Sequence, residues 1–128
     1  MWMKSCRIYS QNGRQEVIGF IEIYPKENLG LPACAEGAFA LGFFMKKTWR
    51  GKGYMTEAVH ALTEKLFEEG VPELTIANFP RNVSSMRVAV KCGYQSEGIE
   101  KNCLEMRDGT IESLEYFTKR NADAGFLN

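Results

Sequence analysis

Trp49-Arg50-Gly51-Lys52-Gly53-Tyr54-Met55 separates two segments of different hydrophobic period, and its reading decides the fold. Before it, Ala38 to Met45 is a short continuous apolar run, the pattern of a strand buried on both faces. After it, Met55, Ala58, Val59, Leu62 and Leu66 recur at helical spacing and form one stripe of an amphipathic helix. Glycines at 51 and 53 let the backbone approach a ligand closely and adopt conformations other residues avoid. At such a strand-to-helix turn, free N–H groups and the positive end of the helix dipole converge on one point. That point suits a phosphate or pyrophosphate, with Arg50 and Lys52 supplying formal charge beside it. An ordinary glycine turn with two solvated bases accounts for the same residues. Two other phosphate motifs are excluded: Gly53 is followed by Tyr54-Met55 rather than the Lys-Ser/Thr of a Walker A loop, and Thr56 stands where a dinucleotide fingerprint needs its third glycine.

Working outward, Arg7-Ile8-Tyr9 and Glu16 to Tyr24 flank the turn Gln11-Asn12-Gly13 and predict an antiparallel hairpin that Pro25 stops. Lys26 to Glu36 reads as a loop. Gly70 and Pro72 end the first helix, and Glu73 to Phe79 reads as a strand closed by Pro80. Asn82 is a good N-cap for a second helix, with Val83, Met86 and Val90 along one side and Gly93 as its stop. Tyr94–Ile99 and Ile111–Lys119 predict two more strands around the turn Arg107-Asp108-Gly109-Thr110. The expected fold class is α/β: a mixed sheet, antiparallel at its ends and parallel in the middle. Residues 1–128 read as a single domain with an irregular tail at 121–128.

The whole-chain balance narrows the function classes. Sixteen basic and sixteen acidic side chains cancel, which disfavours nucleic-acid binding by bulk charge. No apolar run approaches the roughly 20 residues that cross a bilayer, and Met1-Trp2-Met3-Lys4 lacks the apolar core of a signal peptide. Cys6, Cys34, Cys92 and Cys103 are irregularly spaced and His60 is the only histidine, so no zinc site and no metal is expected. Reduced cysteines in a cytoplasmic protein are the expectation.

The ordered pattern of apolar strand, Arg-Gly-Lys-Gly-Tyr loop, Glu57-Ala58 in the first helix, strand, Asn82-x-x-Ser85, and then Lys91-x-Gly93-Tyr94 resembles the GCN5-related N-acetyltransferase (GNAT) superfamily. Within it the chain looks most like the branch of RimJ/RimL-type ribosomal-protein N-terminal acetyltransferases, over Glu16 to about Arg120. The resemblance implies an acyl-CoA N-acyltransferase fold whose fourth and fifth strands, here Ala38–Met45 and Glu73–Phe79, splay into a V that admits acetyl-CoA. It implies that Phe43, Phe44 and Met45 offer backbone groups to the pantetheine arm. Arg50, Gly51, Lys52, Gly53 and Tyr54 would form the pyrophosphate loop, and Lys91 would reach a CoA phosphate. Asn82 would contact the pantetheine or thioester end, and Ser85 would lie near the thioester sulfur.

The departures from the family pattern are specific. Thr48 stands where the loop often begins with Gln or Arg, and Ala89 stands where many members carry a tyrosine acid, whereas Ser85 matches the serine of the RimL-type branch. The family's first strand and first two helices have no room before Arg7, so the chain is expected to be a short form or fragment, or to be completed by a partner chain; association as a homodimer is the expectation.

The implied reaction is transfer of acetyl from acetyl-CoA to a primary amine, either a protein α-amine or a small molecule. The backbone N–H of Phe44 or Met45 would serve as oxyanion donor, and Ser85 would act on the leaving group. Glu36 and Glu105 are the candidate general bases, although Leu104 occupies the position that aligns with the branch's acidic residue. His60 reads as a structural or solvated helix residue rather than a catalytic one. A catalytically silent acyl-CoA-binding module and a purely structural α/β scaffold are the alternatives.

Overall fold

Lys4–Tyr9 (β1) and Val17–Pro25 (β2) pair antiparallel, from Lys4↔Ile23 to Tyr9↔Val17, as their alternation predicts. A computed structural model of the chain describes residues 4–10, 15–29, 31 and 36–122. The Asn12-Gly13 turn, part of the loop before residue 36 and the tail from 123 therefore lie outside the described residues. Pro25 closes β2, and Lys26–Leu29 follows as a 3-10 turn. Lys26 is buried and ion-paired with Glu73 at 3.3 Å, which ties this turn to the start of a distant strand.

Phe39–Met45 (β3) pairs antiparallel with β2 along its whole length, from Gly19↔Met45 to Pro25↔Phe39. The approach is close at one end, where a Cβ on Gly19 would stand 2.5 Å from the Phe44 carbonyl oxygen, so only glycine fits there. Tyr54–Glu68 (α1) and then Glu73–Asn78 (β4) follow. Val83–Lys91 (α2) leads into Gln95–Glu105 (β5) and Ile111–Arg120 (β6). Among the described residues six strands form one mixed sheet in the order β1-β2-β3-β4-β6-β5, with β3 and β4 its parallel pair. Among the described residues no helix is long and apolar enough to cross a membrane.

One core joins the sheet to both helices. Ile21, Ile23, Leu41, Leu74, Ile76 and Phe117 pack with Met55 and Val59 of α1 and Ala89 of α2. The helices are also fastened to each other: the Thr63 and Tyr94 hydroxyls lie 2.7 Å apart, and Cys92 Sγ donates to the Thr56 carbonyl. Burial pushes the Tyr94 phenol well above its ordinary range, although the Thr63 hydrogen bond partly offsets this. Burial likewise raises the Cys92 thiol, which packs as a small apolar group rather than a nucleophile.

Three sequence expectations need correction. β3 is not buried on both faces throughout: Ala40 and Leu41 are fully buried, but Phe44 is 46% exposed. The reason is strand alternation, which puts Leu41 and Met45 on the face that packs in the core and Phe44 on the other. Of Val83, Met86 and Val90, only Met86 packs against the core, because Val83 and Val90 are 48% and 60% exposed. The helix is turned so that Ala89 is buried and Ser85 half-buried, since Cys92 anchors its end to α1 and Ser85 is bonded to β4. Finally, β5 continues past Ile99 to Glu105, through two irregularities and an Asn102 φ of 53°. The polar run Glu100-Lys101-Asn102 hides that continuation.

Candidate functional site

Beyond Leu41 the edge of β3 separates from β4. β4 continues through Ala77 and Asn78, and its strand pairing there is with β6, through Ala77↔Tyr116 and Asn78↔Glu115. The V-shaped split expected from the family resemblance is present. Which β3 groups face it follows from strand alternation. Lys46 N donates to Ile18 O on β2, so alternate residues back from it, including Phe44, turn their polar backbone groups toward β2. Phe43 and Met45 therefore turn theirs toward the split. Two contacts agree: the Phe44 carbonyl abuts Gly19 of β2, and the Met45 carbonyl accepts a 2.7 Å hydrogen bond from Arg50 Nε. Of the two residues named as oxyanion donors, only Met45 is oriented toward the split. Phe44 contributes its ring, which lies 5.3 Å beneath the Arg50 guanidinium.

A cavity of about 480 Å³ occupies this end of the sheet. Its walls are Phe43, Phe44 and Met45, the loop Trp49-Arg50-Gly51 with Gly53, the start of α1 at Tyr54 to Thr56, and one side of α2. Lys47–Trp49 forms a 3-10 turn, and Gly51 and Gly53 then adopt φ of 76° and 84°. Gly53 is the left-handed N-cap of α1, and no side chain caps the helix. The first-turn N–H groups of Tyr54, Met55 and Thr56 consequently have no helical acceptor. A Cβ at either glycine would meet nothing within 4 Å, so backbone conformation and an open cavity, rather than crowding, explain glycine here.

The cations divide into two groups. Arg50, Arg87 and Lys91 line the cavity, and among its described lining residues there is no carboxylate or histidine. Lys52 is not in the lining; its ammonium lies 5.6 Å from the Trp49 ring, which in turn tilts against Tyr54 at 5.7 Å. Three cationic side chains and an uncapped helix start in the walls of one cavity make an arrangement that suits a polyanion.

On the α2 side, Asn82 Oδ1 accepts from Ser85 N at 3.2 Å and so caps the helix. Ser85 Oγ donates to Asn78 Oδ1 at 3.0 Å. Both Asn82 and Ser85 line the cavity. The structure does not bring either proposed carboxylate to it. Glu36 is exposed in the turn before β3, next to the Gly37 that abuts Pro72, at the opposite end of β3 from Phe43–Met45. Glu105 is exposed at the tip of β5, paired with Ile111. His60 is exposed on α1, as expected. Among the described residues no group of three or more potential ligands could hold a metal ion.

Sequence reading missed Arg87 and Asn78. Arg87 and Lys91 stand four apart, which puts both on one helix face, so that signal was available. Asn78 is a lone amide ending an apolar strand, 6% exposed, and its Nδ2 has no hydrogen-bond partner. A buried donor left unpaired costs about 1–3 kcal/mol.

Residues 3–95 match the family described as Acetyltransferase (GNAT) domain, and the chain belongs to that family. It is 34% identical over 84 residues to "Probable N-acetyltransferase YjcK" of Bacillus subtilis (strain 168), covering 65% of this chain and 46% of that protein. The chain spans about half the length of the curated relatives it matches. A solved "putative ribosomal-protein-serine acetyltransferase from Vibrio cholerae" superposes with a TM-score of 0.75 at 22% identity, over 92% of this chain and 64% of that one. The ribosomal L7/L12 α-N-protein acetyltransferase RimL, solved in complex with coenzyme A, superposes with a TM-score of 0.75 at 21% identity, over 96% and 64%.

Proposed function

We propose that the chain binds acetyl-CoA in the split between β3 and β4 and transfers its acetyl group to a primary amine. The observation that carries this reading is the uncapped start of α1, with two left-handed glycines before it, opening on a cavity lined by Arg50, Arg87 and Lys91. These residues fit the phosphates of CoA, and the outward-turned groups of Phe43 and Met45 fit the amides of its pantetheine arm. When bound, acetyl-CoA supplies an acetyl group activated as a thioester. Met45 N–H is placed to stabilise negative charge on a carbonyl oxygen in the split. Arg50 holds the Met45 carbonyl and thereby fixes the end of β3. The Ser85 hydroxyl serves the departing sulfur, either by giving a proton or by orienting a water. The ribosomal-protein acetyltransferases among the structural neighbours support a protein α-amine as acceptor, with small-molecule amines the other class to screen.

The first test is ligand-dependent stability. CoA at about 100 times its dissociation constant should add roughly 2.7 kcal/mol, read as a rise in melting temperature. No shift at millimolar CoA in a folded sample would overturn the assignment. A second reading, an acyl-CoA-binding module without transfer, is favoured by the lack of a carboxylate or histidine among the described lining residues. The two readings part on CoA release: the enzyme releases thiol with some member of an amine panel, the module with none.

Self-association belongs to the same proposal. Ile99, Met106 and Ile111 are exposed on the β5–β6 hairpin, and β5 is a sheet edge. Light scattering is expected to give a dimer mass at tens of micromolar. A constant monomer mass from micromolar to hundreds of micromolar would refute it.

A further inference from the structure

We propose that Arg50 is a positioning residue that couples phosphate binding to the β3 edge: Nε holds the Met45 carbonyl while the Nη groups take a phosphate oxygen. The inference rests on the acetyl-CoA reading above. The 3-10 turn Lys47–Trp49 doubles the chain back, closed by Arg50 N donating to Lys47 O, and so returns the Arg50 side chain to Met45. Past Leu41 the β3 edge has no pairing with β4, so the split-facing Met45 carbonyl lacks the N–H that a neighbouring strand would supply. Arg50 Nε supplies that donor at 2.7 Å. A side chain thus stands in for the missing strand.

The hold extends beyond one oxygen. Met45 C=O and Lys46 N–H belong to a single planar peptide unit. Lys46 N donates to Ile18 O at 2.7 Å, so the unit is pinned on both sides, by β2 and by Arg50. That pinning sets the course of the backbone at Met45 and with it the end of the edge proposed to receive the pantetheine arm. The guanidinium has further donors to give. Arg50 is exposed in the cavity lining, and among the described residues its Nη groups have no hydrogen-bond partner. The exposed Phe44 ring, 5.3 Å away, lies beneath its plane. Arginine's rigid fork can hold two acceptors on different edges, whereas lysine offers one point charge. A phosphate on the Nη groups therefore steadies the hold on the carbonyl, and the arm meets an edge already set.

Two variants test the two halves of this coupling. Arg50→Met removes the donors and keeps an apolar stem on Phe44. In the unliganded variant the Lys46 amide is expected to exchange with solvent about tenfold faster, while the β4 amides keep parent rates. Arg50→Lys keeps the charge and lacks the fork. By titration calorimetry its affinity for adenosine 3′,5′-bisphosphate, which has phosphates and no arm, should stay within about threefold of the parent's. Its affinity for acetyl-CoA should fall about tenfold, because the arm then meets an unpinned edge. Equal losses for the two ligands would reduce Arg50 to a phosphate charge. Parent-like acetyl-CoA affinity, parent-like Lys46 exchange, or acceleration shared by the β4 amides would remove the positioning role. Each of these results would overturn the inference while leaving the acetyl-CoA reading intact. A parent chain that binds no acetyl-CoA would overturn both.

Discussion

Ser85→Ala is expected to lower turnover by about 10²–10⁴-fold, the range in which a positioned acid–base group acts, while acetyl-CoA affinity stays within a few-fold. The structure makes this a clean substitution. The cap of α2 runs from the Ser85 backbone N–H to Asn82 Oδ1, and alanine keeps that N–H. What is lost is the hydroxyl and its bond to Asn78 Oδ1, which leaves a buried acceptor unpaired at about 1 kcal/mol of stability. A structural role alone therefore predicts a modest drop in melting temperature and almost no change in rate. The assay is CoA release with an acceptor found by screening peptides, lysine, polyamines and amino sugars. Unchanged turnover would transfer the leaving-group role to water or another residue.

The second large effect is expected at the loop. Gly53→Val should weaken acetyl-CoA binding about 100-fold, because the substitution perturbs several N–H donors whose bonds to charged oxygens are worth about 1.5–3 kcal/mol each. Some destabilisation accompanies it, about 1–3 kcal/mol, since valine strongly resists a φ of 84°. Gly109→Val separates the two causes. Gly109 has a φ of 87° and open space around it, but it lies in the β5–β6 turn and not in the cavity lining. The two variants should lose similar stability, and only Gly53→Val should lose affinity. Equal affinities would reduce residues 51–53 to an ordinary turn.

Much of this architecture was legible in the sequence because its signals are local. The change from an apolar run to a helical stripe fixed β3 and α1, and the two glycines marked the backbone that turns between them. The Asn82 cap was equally plain, being satisfied within three residues. What escaped depends on long-range geometry. The outward turn of Val83 and Val90 is set by how Cys92 and Ser85 anchor α2, and neither partner is near in sequence. Glu36 adjoins β3 in the chain, yet the strand carries it to the wrong end of the sheet. Lys52 neighbours both glycines, but its ammonium lies against Trp49 outside the lining. Asn78 carried a readable cue, a lone amide in an apolar strand, but its bond to Ser85 is visible only once α2 is seen to pack on β4.

The short seam between β3 and β4 bears on how such a protein can drift in evolution. The β3 edge proposed to receive acetyl-CoA is main chain, and every amino acid except proline presents the same N–H and C=O. Substitution at Phe43 or Met45 can therefore change the rings and thioethers around the split without erasing the edge itself. A seat of this kind tolerates extensive sequence divergence, in keeping with a fold shared at only 20–24% identity with solved structures. The constraint falls instead on a few places where the backbone leaves no choice: Gly19, pressed against the Phe44 carbonyl, and the left-handed Gly51 and Gly53.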